Sequence, residues 1–275
     1  MKTRFAPLSI FQHPYRQLLP LDDQVTWRGR GTEYRGTALI WNLAHGSNAV
    51  GLDVVESRPG GVMLMAILPP AARIEEIPNV WEIVERCRPH TIVPHHPSLD
   101  LRETASLLSR PPEDLPADVV DYMLWRGVDI NRETRHLLRR TIELSEELTT
   151  ITALARSLYL SRRALGRRMK REGLPVPSHW LQFSRVLRAS IRLQTTTDNL
   201  FRTAYALGYP DGFTLSNQMK RLIGIRPSEA KMHLGWEWIV EAWLRREQQA
   251  DRFRRPLRTL EPTMPLTSSQ GLIEN

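Results

Sequence analysis

Two hydrophobic periods divide this chain of 275 residues. Thr37–Leu43 and Gly61–Leu68 (GVMLMAIL) are short, continuous apolar runs with the length of buried strands, and Thr91–Val93 is a third candidate. Between the last two, Val80–Cys87 (VWEIVERC) has helical spacing. Strand, helix and strand in that order predict a small α/β unit with parallel pairing. Ser109–Pro116 (SRPPEDLP) is a Pro-rich breaker that ends it. Beyond the breaker the period becomes helical: Ala117–Trp125, then Arg132–Leu148 with Leu137, Leu138, Ile142 and Leu144 facing inward. Pro177–Gln194 follows, and finally an amphipathic stretch carrying Trp236, Ile239, Val240, Trp243 and Leu244. The expected organisation is a flexible arm over 1–25, a small α/β domain over 26–116 and connecting helices over 117–144. An all-α domain over 145–248 and a disordered tail over 249–275 complete it. The fold class is α+β overall.

Within the helical region a single pattern occurs twice, about fifty residues apart. Ile151, Leu154, Ala155 and Leu158 are followed by Ser161, Leu165 and Met169; Leu200, Ala204 and Leu207 are followed by Asp211, Leu215 and Met219. Each half places apolar residues on one helical face, breaks, and reopens at a capping residue, Ser161 or Asp211. Two short helices sharing a small core leave the outer face of the second one free, which is the geometry of a helix-turn-helix. The intervening Pro177–Gln194 helix sets the distance between the two units, with Trp180, Leu181, Leu187, Ile191 and Leu193 available to pack against both.

Charge is concentrated on the repeat. Ser145–Lys231 carries fifteen Lys/Arg against six Asp/Glu, while the rest of the chain carries twenty-three against twenty-four. A surplus confined to the repeat points to a polyanion partner. Arg163, Arg167 and Lys170 lie at spacings of four and three opposite Leu165 and Met169, and Arg162 joins them at the helix start. Charges opposite an apolar stripe are ordinarily a solvated face; here four cations crowd nine residues with no acid before Glu172. Arginine can bond guanine bidentately, and lysine favours phosphate. The second unit presents Phe213, Asn217 and Lys220, with Thr214 and Arg221 beside them. Asparagine can pair with adenine, and phenylalanine or a threonine methyl can meet the methyl group of thymine. Double-stranded DNA is therefore the expected partner, with more affinity from the first unit and more discrimination from the second.

These residues carry a family resemblance. Ser145–Lys231 resembles the DNA-binding domain of the AraC/XylS transcription regulators. Its first half has Ala155, Ser161, Leu165, Arg167, Lys170, Gly173, Pro177, Arg185 and Ala189 at the family spacing. Its second half has Ala204, Gly208, Tyr209, Asp211, Lys220, Gly224, Pro227 and Ser228. The resemblance implies seven helices holding two helix-turn-helix units, with base-contacting positions on Arg163, Arg167, Phe213 and Asn217. It also implies a bacterial regulator whose protein partner is RNA polymerase or another regulatory protein. Tyr159 departs from it, standing where the first turn usually has glycine, and an aromatic there argues against a positive φ. Gly166 replaces a longer side chain, and Asn217 a frequent arginine. The upstream region does not resemble the sugar-binding barrel common in this family. It resembles, weakly, a degenerate receiver domain lacking the phosphoacceptor aspartate, since the first strand ends in Trp41-Asn42 and the third leads to His95-His96.

Other chemistry is largely excluded. His90, His95, His96 and Asp100 lack the spacing of a zinc site, and no cofactor is expected. Cys87 is the lone cysteine, which rules out an internal disulfide and suits a reducing compartment. Flanked by Arg86 and Arg88, it supports one enzymatic alternative, an alkyl-group acceptor in DNA repair, but the Pro-Cys-His-Arg setting of that nucleophile is missing. The other alternative is an architectural DNA-binding protein of low specificity. No apolar run reaches the ~18 residues of a membrane helix, and Met1–Ile10 has no signal-peptide core. A cytoplasmic, non-enzymatic protein is expected.

Overall fold

The structure, a computed structural model, describes residues 7–12, 18–21, 37–43, 51–59, 61–68, 84, 86–94, 102, 104–105, 108, 112, 114–231 and 235–255. Five strands form one sheet: β1 (Leu8–Gln12), β2 (Leu18–Pro20), β3 (Thr37–Asn42), β4 (Met63–Leu68) and β5 (Thr91–Pro94), in the order β2-β1-β3-β4-β5. The three apolar runs pair in parallel, with Leu39 opposite Leu64 and Ile67 opposite Val93. Alternate residues serve opposite faces, as the strand period requires. Leu39, Trp41, Leu64, Leu68 and Ile92 enter the main core; Ala38, Ile40, Met65, Ile67 and Val93 form a smaller cluster with Phe11, Leu108 and Ala105.

Two expectations change here. The flexible arm over 1–25 contains β1, which lies inside the sheet and pairs antiparallel with both β2 and β3. Five residues with a serine among them (LSIFQ) carry too little periodicity to announce a strand; cross-strand partners and the burial of Leu8 and Phe11 make it one. With two antiparallel strands the described sheet is mixed, so the weak receiver resemblance does not extend to its topology.

The helices follow as α1 (Leu52–Glu56), α2 (Leu115–Trp125), α3 (Arg132–Leu144), α4 (Ile151–Ser157), α5 (Arg162–Arg171), α6 (Pro177–Thr195), α7 (Leu200–Ala206), α8 (Gly212–Ile223), α9 (Pro227–Ala230) and α10 (Trp236–Gln249). No described helix is long and apolar enough to cross a membrane.

Helix α10 joins the two halves. Gly235, just before it, donates its N–H to the Pro89 carbonyl at 3.1 Å, and a Cβ at this position would sit 2.1 Å from the His90 carbonyl oxygen. Only glycine permits that approach. Further along, Glu237 is buried against β5; burial pushes its carboxyl up to about 8, and the Ile92 N–H pulls the other way. Glu241 accepts from Tyr122 Oη at 2.9 Å and forms a buried, two-point pair with Arg126. Trp243 stacks on Phe183 of α6 at 4.1 Å and meets Trp180 edge-on. One apolar core consequently runs from the sheet into the repeat.

The tail is also partly folded. After α10 the chain turns back: Phe253 is buried, the Arg254 N–H donates to the Gly173 carbonyl at 2.8 Å, and Arg255 bonds the Glu172 carbonyl and carboxylate at 2.8 and 2.6 Å. Arg252 pairs with Glu247 at 3.0 Å. Residues 249–255 are thus a strap over the end of α5, which an Arg-rich composition concealed. The remainder of the expected tail, 256–275, lies outside the described residues.

Candidate nucleic-acid interface

The repeat folds as two copies of one frame. In the first, Thr150 caps α4 by accepting from the Ala153 N–H at 3.2 Å, and Ser161 caps α5 by accepting from Ala164 at 3.1 Å. In the second, Asn199 and Asp211 do the same for α7 and α8, at 2.9 Å from Arg202 and 2.6 Å from Thr214. Each cap satisfies an otherwise orphaned N–H at a helix start. That hydrogen bonding also holds the Asp211 carboxyl below its usual range, led by the Thr214 N–H. Both turns close with the same bond, Leu160 N–H to Ala155 carbonyl and Tyr209 N–H to Ala204 carbonyl, each at 2.9 Å. The second turn is one residue longer, by Pro210. Leu165 and Met169 fill the first small core, Leu215 and Met219 the second, all fully buried.

The turns need left-handed backbone at one position. Gly208 supplies it in the second, at φ 68°. In the first the same position is Tyr159, at φ 54° and 97% exposed. The expectation that an aromatic excludes a positive φ is corrected. The frame imposes the conformation, and a side chain pointing wholly into solvent meets no further obstacle beyond the intrinsic cost of the left-handed region.

Helix α6 holds the units in place. Arg185, buried, donates from Nε and Nη2 to the Leu207 carbonyl at 3.2 and 2.6 Å and lies 4.1 Å from the centre of the Tyr209 ring. It grips the second turn from below. Burial pushes the Tyr209 hydroxyl up to about 12. One turn further along, Arg188 reaches the other way, to the Ile142 carbonyl at 3.0 Å and the Ser145 hydroxyl at 3.2 Å near the end of α3. Position 185 is visible in the sequence only as a matched spacing; its role needs the fold.

The outer faces differ in chemistry. On α5, Arg162, Arg163, Arg167 and Lys170 are all exposed, and none makes a hydrogen bond or ion pair among the described residues. Their neighbour Arg168 is instead tied to Glu133 of α3. Gly166, between them, faces open space, so nothing in the packing forbids a longer side chain there. On α8, Phe213 and Asn217 are exposed and Thr214 is half-buried. Lys220 and Arg221 are exposed but engaged, Lys220 donating to the Gly224 carbonyl at 2.8 Å and Arg221 to Gln182 Oε1 at 2.9 Å. The fold therefore brings all nine candidate residues onto the second helices of their units. Among the described residues it leaves the four cations of the first free. Phe201 and Tyr205, both largely exposed on α7, were not singled out; their spacing of four, opposite buried Thr203 and Ala204, is a signal the sequence contains.

Residues 154–232 match a family model described as a helix-turn-helix domain. This segment is an AraC-type DNA-binding domain. The match supports DNA as the partner of this segment and a role in regulating transcription. The match lies wholly within the helical half, leaving the sheet and α2–α3 outside it. No curated protein and no solved structure matches the chain.

The remaining candidate chemistry fares less well. Cys87 is buried, and burial pushes its thiol up to about 11 despite the nearby Arg58 and Arg86 guanidiniums. A thiol held protonated is a poor nucleophile. Arg88, expected to activate it, points to the AraC-type domain instead, pairing with Glu229 at 3.2 Å and lying 5.8 Å over the Trp238 ring. His95, His96 and Asp100 lie outside the described residues.

Proposed function

We propose that this regulator reads two adjacent major-groove faces of one duplex with α5 and α8, one chain supplying both readers. The observation that carries this is the four free cations on α5 within a frame duplicated around a rigid spacer. An exposed guanidinium with no internal partner is available to a guanine edge or a phosphate without first breaking a bond. Arg163 and Arg167 are the base-reading pair; Arg162 and Lys170 neutralise phosphate. On α8, Asn217 faces adenine, with Phe213 and Thr214 beside it. Lys220 and Arg221, already bonded within the protein, add flanking charge. Successive major-groove faces lie about 34 Å apart on one side of B-DNA. RNA polymerase or another regulatory protein receives the signal.

Footprinting of the full chain, with the bound mass taken from sedimentation, tests this. The expected result is protection of two successive groove faces by one chain, resistant to random competitor DNA. Protection of a single face per chain would make the second unit structural only, and equal competition by random DNA would make the protein an architectural binder.

A further inference from the structure

The duplicated frame is its own control for which outer residues the fold requires. Matching the turns and caps places Thr152 opposite Phe201, Arg162 opposite Gly212, and Arg163 opposite Phe213. The first unit closes the same core without any of the second unit's apolar choices at these positions. Yet Phe213 is 74% and Phe201 59% exposed, although water contact with large aromatic surface is unfavourable. Phe201 also reaches the start of α8. Phe201 Cδ1 lies 3.5 Å from where a Gly212 side chain would begin, an ordinary van der Waals distance. Phe213 is the second residue of α8 and sits one helical turn before Asn217, on the same exposed face.

We propose that the second unit reads thymine through its 5-methyl group, Phe213 entering the groove and Phe201 adding apolar surface at the start of α8. This rests on α8 being a DNA reader. The occupant follows from position: Phe213 lies at the start of the helix that also carries Asn217, and the exposed Arg202 and Lys220 add positive charge to the same unit. In the major groove the thymine methyl is the apolar group that base edges present. The first unit selects by hydrogen bonding to purine edges and the second by burial of methyl groups.

The test uses the full chain and a 30-base-pair duplex, a length chosen as about three helical turns, selected by the protein from a randomised pool. Each thymine in the half protected by α8 is replaced by deoxyuridine, which removes the methyl and leaves every hydrogen-bonding edge unchanged. The expected loss is about four-fold per contacted methyl, the equivalent of burying one such group. The same replacement in the other half should change nothing. F213A should weaken binding and abolish the sensitivity to deoxyuridine, and F213L should retain part of it. Both side chains are exposed, so the variants keep the fold. If the second half is protected but binds deoxyuridine and thymine alike, or is selected without thymine, the methyl reading falls while the two-reader arrangement stands. If that half is not protected at all, both fall.

Discussion

The two helix-turn-helix units share caps, turn bonds and core residues, yet they are fastened to the rest of the molecule by different devices. The first is strapped from outside by the segment after α10, through Phe253, Arg254 and Arg255 on Gly173 and Glu172. The second is gripped from inside by Arg185 of α6 on Leu207 and Tyr209. Their outer faces diverge as well, with four cations that have no partner among the described residues on one, and exposed Phe213 and Asn217 on the other. A fold of this kind fixes where the second helix of each unit lies and leaves the chemistry of its outer face open, because core and outer face occupy opposite sides of the same helix.

The comparison breaks most sharply at the fasteners. A chain ending at Gln249 should lose about 3 kcal/mol, from uncovering the surface packed on Phe253 and leaving the buried Glu247 carboxylate with His179 alone. Hydrogen exchange should place the loss in α4 and α5, with α7 and α8 spared; equal loosening of both units would show that the strap is not specific to the first. Arg185→Met should do the reverse. It costs about 2–3 kcal/mol by leaving the Leu207 carbonyl unsatisfied, and protection of the second groove face should fade before that of the first.

Smaller effects concern the faces. Arg163→Ala and Arg167→Ala should each cost about 1–3 kcal/mol of specific binding and relax base preference. Lys170→Ala should weaken specific and random DNA alike, flattening the salt dependence by about one unit. Titrations in which all three behave like the parent would remove α5 as the reader. The smallest effect sharpens the comparison at the turns. Tyr159→Gly gives the first turn the residue the second already has and should stabilise the chain by about 0.5–1 kcal/mol. Gly208→Ala should destabilise it by at least as much, since a Cβ there also meets Thr149 Cγ2 at 2.8 Å. Thermal unfolding of both variants decides whether the turn positions are equivalent.

Much of this is legible in one dimension. The repeat, its caps at Ser161 and Asp211, and the α6 spacer follow from local spacing, and local spacing is what hydrophobic periodicity and capping report. The three parallel strands are legible for the same reason. Strand β1 is not, because its stability comes from residues thirty positions away in β3. Nor is the strap, whose arginines look solvated until Glu172 and Glu247 are brought beside them. Exposure of Phe201 and Phe213 can be suspected from the helical wheel, but the contact of Phe201 with the start of α8 requires the fold.

The AraC-type domain, its two helix-turn-helix units and the basic character of the first are written in periods shorter than one helix, so the order of residues alone specifies them. Folding settles which of the described cations lack an internal partner, what Arg185 and Arg188 of α6 grip, and that Cys87 is buried. It also settles that the sheet and the helix-turn-helix units share one core through α10. These outcomes depend on which distant groups become neighbours and on how much water is excluded between them. Neither quantity is a property of any short stretch of chain.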